Sequence, residues 1–296
     1  MRTDQQTPAL DLPDLLQATE RKMLDILLPT AAHSLDELVI YHLSSGGGRT
    51  RAKLALHAAR AMDLPREVCV GLAACCELIH NASLLHDDIQ DQDSIRRDRT
   101  AAWRQFDTNT AMCAGTLMLS AAYQALAQIE ADTSRMVMHV HARTADLIAG
   151  QTRDLASLDE PISLDDYLEI AAGKSGSLLA LPLELALIAS GQTEALPLAR
   201  QAGESFAAAY QMIDDMMDIE ADEQNGHNNI VMLFIRSGKS MQEAMEQSAN
   251  LARIYLDAAV IHAGGLPHQS GQFLVKLSEK LRVSIDTLPE LNSEVV

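Results

Sequence analysis

Aromatic residues make up only 3% of this 296-residue chain, and no strand-length run of Val, Ile, Thr and aromatic side chains occurs along it. That scarcity argues against a β-rich fold, because pleated, half-buried surfaces are built from those residue types. Basic residues are also few: 23 Lys and Arg stand against 41 Asp and Glu, a formal charge of −18. Sequence-independent binding to nucleic acid or to an anionic membrane surface needs the opposite balance, so neither partner is expected. If the ligand is itself anionic, cations or local Arg and Lys must bridge it to the protein.

Only four cysteines occur, Cys69, Cys75, Cys76 and Cys113, each within an apolar helical stretch and without the paired spacing of a metal site. Adjacent Cys75 and Cys76 have poor geometry for a bridge. Reduced core thiols and a cytoplasmic setting are the expectation. No basic-then-apolar leader opens the chain and no run of about 18 apolar residues stands out, so a soluble protein without a transmembrane segment is expected. Fixed-period repeats and low-complexity linkers are missing too. The expectation is one domain over residues 1–296, loosely ordered over 1–12.

What is present is helical. Hydrophobic residues reach 47% and Ala, Leu, Met, Glu and Gln dominate, all helix formers. The fold class is all-α, a large helical bundle. Helix patterns run over about 14–28, 35–43, 49–61, from Pro65 past 86, and over 107–131 and 133–157. Ser163 reads as an N-cap with Asp165 and Asp166 in the first turn. The helix it opens is expected to run over 167–172 and to break at Gly173-Lys174-Ser175-Gly176, with a kink at Pro182 beyond. Further helices are expected over 196–219, 230–263 and 267–289, with a polar loop over 223–229.

One stretch, Glu77 to Trp103, organises the rest. It opens as an apolar helix face (Leu78, Ile79, Ala82, Leu85) and turns acidic at Asp87-Asp88-Ile89-Gln90-Asp91, with Arg96 and Arg97 following. At about 100° per residue, positions i and i+4 share a face, so Asp87 and Asp91 hang side by side. Neighbouring carboxylates repel unless a cation sits between them, and hard divalent ions prefer oxygen ligands. The arginines beyond could hold an anion against that cation.

One such cluster in an acidic chain is weak evidence, since a solvated charged face explains most of them. A second one, Asp214-Asp215-Met216-Met217-Asp218, again follows an apolar helical segment. Two facing helices would bring both carboxylate sets to one end of an apolar cavity, as in bundle metal sites. All-oxygen ligation points to Mg²⁺ or Mn²⁺ rather than Zn²⁺. A competing reading takes His86-Asp87, with His80, as a metal phosphohydrolase site, but leaves the repeated cluster and the arginines unexplained. The glycines before Arg49-Thr50-Arg51 make a plausible anion cradle at a helix start. Taken alone, they could equally be a connector.

Together these residues resemble the trans-type isoprenyl diphosphate synthases of the polyprenyl synthetase family. His86-Asp87-Asp88 through Arg96-Arg97 is similar to the first Asp-rich motif, and Tyr210-Gln211-x-x-Asp214-Asp215-x-x-Asp218 to the second. Gly46-Gly47-x-Arg49-x-Arg51, Gly150-Gln151 with Asp154, and Lys174-Ser175-Gly176 resemble three further elements in the family's order. The resemblance implies the isoprenoid synthase fold with a central apolar cavity, three Mg²⁺ ions and a homodimer. It implies that Asp87 and Asp91 bind two metals and Asp214 the third, with Asp88, Asp215 and Asp218 in support. It assigns Arg96, Lys174 (with Ser175 beside it) and Gln211 to the allylic diphosphate. Arg51, His80 and Arg97 would hold isopentenyl diphosphate, with Arg49 near by.

Two departures stand out. The family's loop lysine is Gly48 here, and its Gly-Lys after the second motif is Gly226-His227. Chain elongation is the reading, with a class I terpene cyclase-like or unusual coupling enzyme, or a weakly active partner subunit, as alternatives. The family limits product length with an aromatic four or five residues before the first aspartate. The corresponding residues are Ser83 and Ala82, both small, so a product of geranylgeranyl length or longer is expected. A floor deeper down, at Met112, Met118 or Tyr123, competes with plain core packing of those side chains.

Overall fold

Helix-forming composition carries through to the computed structural model, which describes residues 11–28, 32–157 and 162–287. These residues fall into two compact units, the first running to Thr133 and the second from Ser134.

The first unit opens with α1 (Leu12–Leu27), whose Pro13 sits in the first turn, where a missing N–H costs little. Leu15, Thr19, Met23 and Leu27, spaced by four, form its buried stripe. Then come α2 (His33–Ser44), α3 (Thr50–Ala61) and α4 (Arg66–Gln90). α4 is the hub and packs against α1, α3 and α6 (Thr108–Ala127). Every residue from Val68 to Ile79 is buried. Between α4 and α6 lie the two-residue strands β1 (Ile95–Arg96) and β2 (Arg99–Thr100), paired antiparallel, and the short α5 (Ala102–Gln105). The hairpin turn is Arg97-Asp98, with φ of 54° and 58°, the left-handed pair that a tight two-residue turn demands.

The second unit contains α7 (Thr133–Ala156), α8 (Leu164–Ala171), α9 (Ser177–Ala189), α10 (Leu196–Met217), α11 (Ile219–Asn225), α12 (Ile230–Arg236), α13 (Met241–Gly264) and α14 (Gln272–Ile285). α10 is the hub here, packed on α9 and α13. The N-cap at Ser163 forms a full capping box with Asp166.

Several expectations need correction. Gly173–Gly176 does not break the helix: Ala172–Gly176 is a π turn that joins α8 to α9. Of the segment expected as loop over 223–229, residues 223–225 instead finish α11, closed by Gly226 at φ 72°, the usual left-handed helix stop, and 226–229 are non-helical. The helix expected over 230–263 is two, α12 and α13, separated at 237–240 by a chain reversal whose Ser240 caps α13. The last helix starts at Gln272, after a short turn at Pro267–Gln269. Most of the loose start expected over 1–12 lies outside the described residues. Cys69, Cys75 and Cys76 are buried, but Cys113 is exposed, and so is Met112 at 48%. The reason is that α6 meets the core through small residues, Ala111, Ala114, Gly115, Ala121, Ala122 and Ala125, with Met118. Leu126 is buried as well, whereas Met112 and Cys113 face outward.

Apolar runs also exceed expectation. Among the described residues, Arg66–Gln90 and the continuous stretch Leu164–Ala189 are long and apolar enough to cross a membrane by length and composition. Of those windows, 83% and 72% are buried within the protein, as core helices require of the same composition.

His42 on α2 gives the first unit a measurable acid response. It is 3% exposed, and burial, then the nearby Arg97 charge, lowers its pKa to about 4. A histidine that stays neutral when folded lets the unfolded chain take up the proton first. Its contribution is intact above the unfolded value near 6.5 and is lost as pH falls from there toward about 4. We expect stability to drop over that window by on the order of 3 kcal/mol from this residue. Urea titrations at successive pH values should show a shallower drop in His42→Gln; an unchanged profile would assign the acid response elsewhere.

Candidate active site

In the first unit the acidic cluster forms the C-terminal end of α4. Asp87 and Asp88 lie in the last turn and Asp91 is the C-cap, its N–H donating to the Asp87 carbonyl at 2.8 Å. Asp87 and Asp91, one turn apart, are half-buried. Asp88 points inward and is 1% exposed. Both Nε and Nη2 of Arg96 reach its Oδ1, at 2.6 and 2.5 Å, and Nη2 also contacts Asp93 at 3.1 Å. Burial holds the Asp88 carboxyl above its usual range, with Arg96 opposing. The hairpin thus braces the acidic helix end from one side through Arg96.

Its other arginine faces the glycine loop: Arg97 Nη1 donates to the Gly46 carbonyl at 2.5 Å and lies 3.3 Å from Ser45 Oγ. Below the loop, Arg51 Nη1 sits 3.1 Å from His80 Nε2. Guanidinium can only donate, so Nε2 accepts and the ring proton is on Nδ1. Burial, then the charges of Arg51 and Arg97, keeps His80 neutral, well below the usual histidine range. Glu77, buried at 1%, caps α3 from a distance by accepting Ala52 N–H at 2.9 Å. Ala82 is fully buried, whereas Ser83 is half-buried and donates to the His80 carbonyl at 2.9 Å.

In the second unit the other acidic cluster ends α10. Asp214 is half-buried. Burial, then repulsion from Asp218 and Asp222, raises its pKa. Asp215 does something different. It is 1% exposed and accepts hydrogen bonds from Tyr167 Oη, Gln211 Nε2 and Ile230 N–H, each at 2.8 Å. Burial lifts it to about 7 against those three donors. It ties α8, α10 and α12 together, and Asn229 completes the knot by donating to the Asp215 carbonyl and to Asp222 Oδ2 at 2.7 and 2.8 Å. Sequence reasoning missed Tyr167, Asp222 and Asn229. Asn229 was findable as an N-cap ahead of Ile230-Val231; Tyr167 and Asp222 carried no such signal.

Lys174 and Ser175 ride on the π turn, an element that recurs at functional sites because it re-aims side chains. Lys174 Nζ pairs with Asp154 at 2.6 Å. Gly150 makes this possible, since a Cβ there would fall 2.4 Å from the Lys174 nitrogen. The Gly150-Gln151-x-x-Asp154 and Lys174-Ser175-Gly176 segments therefore act as one packed unit. His227 Nδ1 is 3.6 Å from Asp222 Oδ1.

Among the described residues no three His, Cys, Asp or Glu side chains converge as a ready-made metal cage. Each acidic cluster by itself still suits a cation. Burial, then its acidic neighbours, destabilises Asp214 as an anion, and a divalent ion would offset that penalty. All the donors are carboxylate oxygens, which fits Mg²⁺.

The order and spacing of these elements match a known profile. The polyprenyl synthetase family profile aligns with residues 32–241. The chain belongs to the polyprenyl synthetase family. It is 30% identical over 199 residues to an octaprenyl diphosphate synthase of Haemophilus influenzae, covering 66% of this chain and 60% of that protein. It is also 30% identical over 227 residues to a (2E,6E)-farnesyl diphosphate synthase of Mycobacterium bovis, covering 72% and 62%. The chain thus spans about three fifths of the length of the curated relatives it matches. Among solved structures, a decaprenyl diphosphate synthase from Rhodobacter capsulatus superposes with a TM-score of 0.84 at 21% identity, covering 93% of this chain and 97% of that one. A geranylgeranyl pyrophosphate synthetase from Geoglobus acetivorans gives 0.81 at 22% identity, covering 91% and 98%. The fold of this polyprenyl synthetase chain is therefore the all-α isoprenoid synthase fold.

Proposed function

We propose that the chain is a trans-prenyltransferase that joins an allylic diphosphate to isopentenyl diphosphate and releases pyrophosphate. The observation that carries this reading is that two acidic clusters each terminate a buried apolar hub helix, with Arg96 paired to Asp88 at the first and Lys174 held by Asp154 in the second unit. In the reaction the allylic C–O bond breaks and pyrophosphate leaves with the electron pair. The alkene of isopentenyl diphosphate supplies the electrons of the new C–C bond, and the proton then lost passes to pyrophosphate.

Asp87 and Asp91 would hold two Mg²⁺ ions and Asp214 a third, with Mn²⁺ as a substitute and Asp88, Asp215 and Asp218 in support. When bound, these ions neutralise charge on the departing pyrophosphate. Arg96, Lys174, Ser175 and Gln211 would orient the allylic diphosphate; Arg51, His80 and Arg97 would receive isopentenyl diphosphate, and His227 would add a further diphosphate contact. Charged donors aimed where negative charge develops do the largest part of such catalysis. The apolar side of α4 keeps water from the carbocation. No side-chain nucleophile is needed.

A cytoplasmic homodimer belongs to the same proposal, supported by the exposed Met112 on α6. Products of geranylgeranyl length or longer follow from the small Ala82 and Ser83. The test is turnover of dimethylallyl, geranyl and farnesyl diphosphates with isopentenyl diphosphate, with Mg²⁺ removed by chelator and restored. Activity indifferent to the metal would overturn the reading.

Gly48 offers a second test. A Cβ there would meet only Thr50 Oγ1, at 3.2 Å, and its φ lies outside the left-handed range. A lysine therefore fits once a hydroxyl shifts slightly. Gly48→Lys should lower KM for isopentenyl diphosphate by about fivefold, the worth of one part-exposed ion pair. A KM that stays level or rises would show that this loop does not face the diphosphate.

A further inference from the structure

Three glycines in a row leave a loop with no side chains to fix it and the highest conformational freedom available to a chain. Gly46 and Gly47 have φ of 84° and 108°. Yet the next residue, Arg49, is also left-handed, at φ 49° and ψ 38°. L side chains other than Asn and Asp rarely adopt that conformation, and it persists where its surroundings over-determine it.

The surroundings are the residue's own guanidinium contacts. Nε donates to Glu20 Oε1 on α1 at 3.0 Å, Nη1 to the Gly46 carbonyl at 3.0 Å, and Nη2 to the Leu43 carbonyl at 2.8 Å. Leu43 lies in the last turn of α2, where helix carbonyls lack partners within the helix. The side chain is 15% exposed. All three guanidinium nitrogens are thus directed at protein acceptors.

The Gly46 carbonyl also accepts from Arg97 Nη1, so one oxygen joins the two guanidiniums. Arg97 in turn lies flat on Gly47, where a Cβ would come within 2.6 Å of its Cζ. A chain of contacts therefore runs from Glu20 to Arg49, to the Gly46 carbonyl, to Arg97.

We infer that Arg49 is a positioning residue: anchored by Glu20, it locks the glycine loop and so sets where Arg97 presents its charge to isopentenyl diphosphate. It does not itself hold the diphosphate. This inference rests on the proposed prenyltransferase reading for the identity of the ligand. It assigns a role in substrate affinity to Glu20, which lies in no family motif and belongs to a different helix.

The experiment measures kcat and KM for each substrate, with Mg²⁺ and farnesyl diphosphate, in Glu20→Ala, Arg49→Lys, Arg49→Ala and the Glu20→Ala/Arg49→Ala double variant. Hydrogen exchange over residues 44–50 is followed in parallel. Glu20→Ala should raise KM for isopentenyl diphosphate about two- to fivefold, the range of a part-exposed ion pair. Its kcat and its KM for farnesyl diphosphate should stay within about twofold of wild type, and exchange of the loop amides should accelerate. Arg49→Lys should behave like Arg49→Ala, because an ammonium cannot reach three divergent acceptors. The double variant should be no worse than Arg49→Ala, since Glu20 acts only through Arg49.

If Arg49 gripped the diphosphate directly, removing Glu20 would release it toward the ligand. KM in Glu20→Ala would then fall or stay level, and that result overturns the inference. Additive effects in the double variant, or unchanged loop exchange in Glu20→Ala, overturn it as well. Should Arg49→Ala not fold, Glu20→Ala and its exchange profile decide. A wild-type protein with no isopentenyl-dependent turnover would refute the functional reading, while loop exchange would still judge the lock.

Discussion

Asp87→Asn and Asp214→Asn should each lower kcat/KM for chain elongation by on the order of a thousandfold, the scale seen when a group that stabilises developing charge is removed. Asparagine keeps the size and one oxygen of the carboxylate but loses the charge that a hard cation needs. The two residues end α4 and α10, so each substitution removes one unit's contribution. Stability should move the other way at Asp214. Burial, then Asp218 and Asp222, holds that carboxyl above its usual range, so its ionised form destabilises the fold at neutral pH. In metal-free buffer the melting temperature of Asp214→Asn should match wild type or exceed it by a few degrees. Loss of activity with gained stability marks a site maintained against the interest of the fold. Wild-type rates in both variants would make the clusters solvated charge and nothing more.

Ser83→Phe should shorten the product. Ser83 precedes Asp87 by one helical turn and is half-buried, its hydroxyl turned back to the His80 carbonyl. A phenyl ring there would project along α4 from the acidic end and limit the growing chain, while the first condensation should proceed within severalfold of wild type. Ala82→Phe should act in the same direction at a cost of about 1–3 kcal/mol, because its fully buried position has no room to spare. The readout is the mass distribution of the diphosphates formed from farnesyl diphosphate. An unchanged distribution in both variants would move the floor elsewhere, with the fully buried Met118 the next residue to enlarge.

Much of this architecture can be read from the residues. Composition alone points to helices, and the spacing of Asp87 with Asp91 and the second cluster at Asp214 place the candidate chemistry at helix ends. The π turn at 172–176 was not legible, because glycines beside Lys174 look like a break. Close packing of Gly150 against the Lys174 and Gly173 backbone keeps the chain helical there. Asp215 reads as a member of an acidic motif, but its oxygens are taken by Tyr167, Gln211 and Ile230 from three helices. Periodicity cannot reveal partners 48 residues away. On α6 the inference from apolar residues to core fails at Met112 and Cys113, because most core-facing positions of this helix are filled by Ala and Gly. Gly115, for instance, leaves just enough space for the His86 ring, which a Cβ would meet at 2.3 Å. Arg49, in turn, looks like one more cation for a diphosphate until its three acceptors are seen.

The most direct measurement is mass analysis of products from wild-type protein incubated with Mg²⁺ and farnesyl diphosphate, with and without isotopically labelled isopentenyl diphosphate. The account predicts longer diphosphates that form only when isopentenyl diphosphate is present, each carrying one label per added five-carbon unit. A hydrocarbon or alcohol formed from farnesyl diphosphate alone, or no product under either condition, would contradict it.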